Sequence, residues 1–252
     1  ITNQILSTNT YSRLYQKIFI NSLGSLPRVV ALRNVTSHKH LCGATLLSAK
    51  VAITAAHCSY GLPNEYILHL NNYCSQGGYP KAKVVEIYRH REYNKYSRAH
   101  DIAILSIDLE MEDTEWLEGS ILPDEDKKTV SDSCIIAGYG IRKVQSEETT
   151  NVLHAAKVNI ITSEDCFETL GEYMAPSNTS GQICAVGVNG SDTCMGDSGG
   201  PILCSDGTII RGISSYGQSC GCPGVPGVYT SISKHLNWIK DIYNIIQNTR
   251  KE

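Results

Sequence analysis

The stretch Asp192-Thr193-Cys194-Met195-Gly196-Asp197-Ser198-Gly199-Gly200-Pro201 constrains the fold more than any other part of the chain. Glycines and a proline around one serine read as a tight turn, and a serine hydroxyl becomes a nucleophile only when a neighbouring base takes its proton. Ser198 therefore means little alone. The chain offers a base in Thr54-Ala55-Ala56-His57-Cys58 and an orienting carboxylate in Asp101, which heads the apolar run Ile102-Ala103-Ile104-Leu105. A fold that uses all three must bring together residues that lie far apart in the chain.

A length of 252 residues suits one large domain or two fused halves. With 22 basic and 25 acidic residues and a net charge of −3, the chain has no broad basic field, which excludes nucleic acid as a partner. It has no apolar run long enough to span a bilayer, so no membrane partner is expected, and Ile1-Thr2-Asn3-Gln4 lacks the features of a signal peptide. Ten cysteines, an even number, and sequons at Asn34, Asn178 and Asn189 point to an oxidising route and a secreted, extracellular glycoprotein.

Short apolar segments separated by turns predict strands at 29–32, 44–47, 51–54, 66–70 and 82–88, and again at 133–137, 156–161, 201–204, 208–214 and 227–232. This is an all-β pattern of sandwich or barrel type. A charged, Pro-containing break at 121–128 divides the two sets, and Leu236, Ile239, Ile242, Tyr243 and Ile246 recur at helical spacing near the end.

The order His57, Asp101, Ser198, with these flanking residues, resembles the chymotrypsin and trypsin family of serine proteases over about residues 18 to 246. The resemblance implies two packed six-stranded antiparallel β-barrels with a C-terminal α-helix, in halves of about 18–122 and 129–252. It also assigns roles. His57 would act as general base and Asp101 would fix its tautomer. The backbone N–H groups of Gly196 and Ser198 would form the oxyanion hole. Asp192, six positions before Ser198, would floor a pocket selecting Arg or Lys, with Gly217 and Gly227 as its walls and Ser215, Tyr216 and Gly217 along substrate backbone. Tyr216 and Tyr139 stand where the family usually has tryptophan. His100, beside Asp101, is set aside, because neighbours on an extended chain point to opposite sides.

The family pairs Cys42 with Cys58, Cys134 with Cys204, Cys166 with Cys184, and Cys194 with Cys220. Cys74 and Cys222 are left over, and the chain is expected to be a monomer unless one of them bridges chains. No cofactor and no metal is expected. Residues 71–80, where relatives bind calcium, contain no Asp or Glu. Family members begin their active form at an Ile or Val about two dozen residues before the cysteine preceding the histidine, which is where Ile18 stands relative to Cys42. Residues 1–17 then read as a propeptide and 18–252 as the protease domain, with Lys17-Ile18 as the activation bond and Asp197 as the partner of the freed amine. Ile18-Phe19-Ile20-Asn21 lacks the glycines usual after that bond. The expected partners are a protein or peptide substrate with Arg or Lys before the cut, and protein inhibitors. A non-catalytic homologue that only binds partners is the competing reading.

Overall fold

The computed structural model describes residues 26–70, 81–111, 114–124, 134–140, 153–188, 198–205, 207–217 and 224–249. In the first half, β1 (Val29–Asn34), β2 (His40–Ser48), β3 (Val51–Thr54), β4 (Tyr66–Leu70), β5 (Lys81–Arg89) and β6 (Ala103–Leu109) close into an antiparallel barrel ordered β1-β2-β3-β6-β5-β4. The second barrel runs β10-β11-β12-β9-β8-β7, from β7 (Cys134–Gly138), β8 (His154–Ile161), β9 (Gln182–Gly187), β10 (Pro201–Cys204), β11 (Ile209–Tyr216) and β12 (Gly227–Ser231). Two six-stranded barrels are thus present, as expected. To the predicted strands the structure adds β6, grown from the apolar run after Asp101, and β9.

Sequence explains which strands lie where. Val29 to Leu32 of β1 are all buried, because one face fills the first barrel and the other meets the second. Tyr139, just past β7, donates its hydroxyl to the Val29 carbonyl across that boundary at 3.2 Å. β5 instead alternates at its start, with Ala82 and Val84 inside and Lys83 and Val85 outside, the habit of a strand with one wet face. Register slips between Val84 and Glu86 and between Leu32 and Arg33 bend the strands enough to close the cylinder.

Two α-helices lie among the described residues. α1 (Ser163–Met174) was not predicted. It is capped by Thr162, whose hydroxyl oxygen accepts from the Asp165 N–H at 3.0 Å, and it is tied to β9 by the Cys166–Cys184 bridge. α2 (Leu236–Thr249) is the predicted terminal helix, and it buries Leu236, Ile239 and Ile246. It returns to the first half, where Gln247 donates to the Ser48 hydroxyl at 3.3 Å. Cys42–Cys58 and Cys134–Cys204 are also formed. The fourth expected bridge, Cys194–Cys220, and both Cys74 and Cys222 lie outside the described residues.

Candidate active site

A carboxylate taken out of water costs several kcal/mol unless donors surround it, and Asp101 is fully buried at 0% exposure. Its position follows from β3 lying against β6 with Thr54 opposite Ala103. The turn after β3 and the loop before β6 therefore emerge side by side. That turn, Ala56–Cys58, carries His57 and is anchored by the Cys42–Cys58 bridge. The His57 backbone N–H donates to Asp101 Oδ1 at 2.9 Å, and its ring Nδ1 donates to Oδ2 at 2.7 Å. Because Nδ1 holds the proton, Nε2 presents its lone pair outward. With 14% of its side chain exposed, the ring keeps an open edge for a base to work through.

The remaining support comes from the second barrel. Ser215 of β11 donates its hydroxyl to Asp101 Oδ2 at 2.6 Å, and Thr230 of β12 donates to the Asp101 carbonyl at 2.8 Å. Arg98 lies 3.9 Å from the same Oδ2. His57, Asp101 and Ser215 thus form one hydrogen-bonded array. Ser215 holds the far side of the carboxylate: it is buried at 3% exposure and its proton is committed, so it cannot be the serine that His57 deprotonates. Sequence reasoning had assigned Ser215 to the substrate edge and missed this anchoring contact.

Ser198 occupies the turn before β10, partly exposed. Gly43 of β2 donates its N–H to the Ser198 carbonyl at 2.7 Å, and Gly199 donates to the Ser214 carbonyl at 2.8 Å. Gly199 has φ +79°, and a Cβ there would lie 2.3 Å from Thr54 Oγ1 and 3.3 Å from the Ala55 nitrogen. The serine turn is therefore pressed against the segment leading to His57, with no room for a side chain at Gly199. At Gly43 a Cβ would fall 2.8 Å from Gly200 Cα, so the barrels meet glycine against glycine. Thr54 donates to the Gly43 carbonyl at 2.8 Å and locks the joint from the first barrel's side.

Of the expected pocket, Gly217 and Gly227 are described. A Cβ on Gly217 would lie 3.9 Å from Gly227 Cα, which makes the two glycines close neighbours, and a Cβ on Gly227 would meet the Tyr229 ring at 3.1 Å. Tyr216 donates to the Met174 carbonyl at 3.2 Å, and burial raises its pKa. Burial also pushes the Tyr93 hydroxyl well up, helped by its hydrogen bond with Tyr60 and by the Asp101 charge, so it stays neutral near the site. Asp192, Gly196, Asp197, Lys17 and Ile18 lie outside the described residues. Cys42, His57 and Cys58 have metal-like proximity, but the two sulfurs are joined in a disulfide and offer no thiolate.

Residues 21–239 match the family described as Trypsin. The chain belongs to the trypsin family of serine proteases. It is 34% identical over 228 residues to transmembrane protease serine 7 of Mus musculus, covering 86% of this chain and 27% of the relative. The same protease of Rattus norvegicus is 33% identical over 228 residues, covering 86% of this chain and 26% of the relative. The chain thus spans about a quarter of the length of these relatives. Among solved structures it resembles mouse neuropsin, a serine protease expressed in the limbic system of the brain, with a TM-score of 0.73 and 30% identity over 87% of this chain and 95% of that one.

With the intact array, membership makes this a trypsin-like serine protease domain of the hydrolase class. The expectation of a secreted, extracellular protein is overturned, since the two relatives are named as transmembrane proteases. The physical reason is that cysteines and sequons report an oxidising compartment, and a tethered domain folds in the same compartment as a free one. Among the described residues no helix is long and apolar enough to cross a membrane.

Proposed function

We propose that the chain is an endopeptidase that cleaves after Arg or Lys through an acyl-enzyme formed on Ser198. The observation that carries this is the buried Asp101 carboxylate holding His57 by both its backbone N–H and Nδ1, which leaves Nε2 as the free base. His57 takes the Ser198 proton as Oγ attacks the scissile carbonyl. The backbone N–H groups of Gly196 and Ser198 stabilise the oxyanion, and His57 then returns the proton to the leaving amine. Water reverses the sequence and releases the acid.

Selectivity rests on Asp192 at the pocket floor, since a neutral side chain would leave its charge unpaired. Glycines at 217 and 227 support it, because neither position carries a side chain that would occupy the space a long cationic one needs. Residues 1–17 act as a propeptide. A cut at Lys17-Ile18 frees an amine that pairs with Asp197 and orders the pocket, and 18–252 is the working domain. The domain is part of a longer, membrane-anchored protease, a reading supported by the names of its two transmembrane relatives.

The test is to activate the chain by cleavage after Lys17, label it with a fluorophosphonate, and assay peptides ending in Arg, Lys, Phe or Leu before the cut. The expected result is a single label on Ser198, cleavage after Arg and Lys, and loss of several orders of magnitude in Ser198→Ala. Folded, activated protein that neither labels nor cleaves overturns the reading, and equal cleavage after Phe or Leu overturns the pocket assignment alone.

A further inference from the structure

A second group of histidines lies beside the Asp101 loop and takes no part in the chemistry above. His90 follows β5, His100 immediately precedes Asp101, and His235 ends the short turn leading into α2. Their candidate ligand nitrogens all lie within 4.8 Å of one another. His100 Nδ1 and His235 Nε2 are 3.0 Å apart. On its other side, His235 Nδ1 is 2.7 Å from the Ser231 carbonyl. A carbonyl only accepts, so Nδ1 carries the proton and Nε2 directs its lone pair at His100. His100 in turn has its back nitrogen, Nε2, 3.8 Å from the Glu92 carboxylate. A carbonyl or carboxylate behind the ring is the arrangement that orients metal-bound imidazoles.

His90 closes the group. Its ring stacks on His100 at 5.0 Å and meets His235 edge-on at 5.2 Å, and Trp238 of α2 confines it from another side at 5.0 Å. Two imidazoles on one tetrahedral zinc, each about 2.0–2.1 Å from the metal, stand roughly 3.3 Å apart. The His100–His235 separation of 3.0 Å is already close to that value, and the His90 nitrogen lies within 4.8 Å of both. What an ion would replace is the His100–His235 hydrogen bond and a long contact from the Glu92 N–H to His90 Nδ1 at 3.3 Å. His235 is buried, while His90 and His100 are partly open, so the group has a closed floor and an entrance.

We propose that His90, His100 and His235 form a three-imidazole site for a divalent transition-metal ion of the zinc class, with water as fourth ligand. Nitrogen donors select such ions over calcium and magnesium, which take oxygen. Neither the cysteine and histidine spacing in the sequence nor the calcium loop points to this site. Its occupant would clamp His100, the chain neighbour of Asp101, to the second half of the molecule.

The test titrates the metal-free full chain with Co²⁺, reads the visible ligand-field absorption, and then competes with Zn²⁺. One equivalent with a tetrahedral-type spectrum, displaced by Zn²⁺, is expected. His90→Gln and His100→Gln, both at partly exposed positions, should each weaken Co²⁺ binding at least 10-fold, as should His235→Gln where it folds. Failure to saturate at one equivalent, or affinity that survives in the folded His90→Gln and His100→Gln variants, overturns the site.

Discussion

His57 and the His90–His100–His235 group lie on either side of one loop and answer to different partners. His57 faces the fully buried Asp101 carboxylate, while the other three pack against one another, and the acid behind His100 is the exposed Glu92. The carboxylate accepts a hydrogen bond from the Nδ1–H of His57 and would stabilise a second proton on Nε2, which makes the ring a base that can accept and return a proton. In the trio His100 and His235 pair a proton with a lone pair, and burial together with the neighbouring rings lowers the pKa of His90 and His235. The same side chain is thus a proton carrier in one setting and a neutral donor of lone pairs in the other.

The largest expected effect removes that difference. Asp101→Asn keeps the shape but turns an acceptor into a donor, leaving His57 without its partner and in the wrong tautomer. Turnover should fall by about 10⁴, the loss that this change produces within the same protease family. Rates of fluorophosphonate labelling, measured beside peptide cleavage, check it, and a loss below 10-fold would show that the carboxylate does not govern His57. Ser215→Ala tests the support rather than the base. A hydrogen bond to a charged group contributes about 1.5–3 kcal/mol, so kcat should fall by roughly 10- to 100-fold with KM unchanged. An equal rise in KM would return Ser215 to the substrate edge.

The smallest effect concerns His69 of β4, a histidine set among other basic side chains. Burial, with Arg33, Lys81 and His38 nearby, lowers its pKa to about 4 from the ordinary 6.5, and its Nε2 is buried without a hydrogen-bond partner among the described residues. Because the folded value is the lower one, the unfolded chain takes up the proton first. The stability that neutral His69 contributes is complete above about pH 6.5 and is lost as pH falls towards 4. Urea unfolding across that range should show stability declining with acid, and His69→Gln should flatten the slope. An unchanged slope would mean that His69 is protonated in the fold as easily as outside it.

The parts of this site that were readable in sequence are those that sit next to each other in the chain or carry their own turn chemistry. His57 with Cys58, Asp101 before its apolar run and Ser198 among glycines each announce themselves. Ser215 did not, because it occupies a bulge: Ser214 pairs with Tyr229 and Tyr216 with Val228, leaving Ser215 without an opposite number. A bulge re-aims a side chain, and strand alternation cannot anticipate it. His100 was set aside on the premise of an extended chain, yet its backbone is left-handed, with φ +53°. It does avoid the carboxylate, but it points at His235, 135 residues away, where no spacing rule reaches. α1 escaped for a plainer reason: Cys166 and Leu170 alone are buried, while Phe167 and Tyr173 are exposed, so its apolar residues trace no clean stripe.

The glycine-to-glycine joint between Gly43 and Gly200 carries a consequence for biosynthesis. A ribosome delivers the first barrel, with His57 and Asp101, well before β10 to β12 exist, and domains tend to fold as they emerge. Until the second barrel docks, Asp101 lacks the Ser215 and Thr230 donors, and Ser198 lacks the Gly43 amide that fixes its turn. A half-made chain therefore holds an acid and a base with nothing to activate. The hydrogen-bonded array is complete only at the last act of assembly, ahead of any activating cut after Lys17.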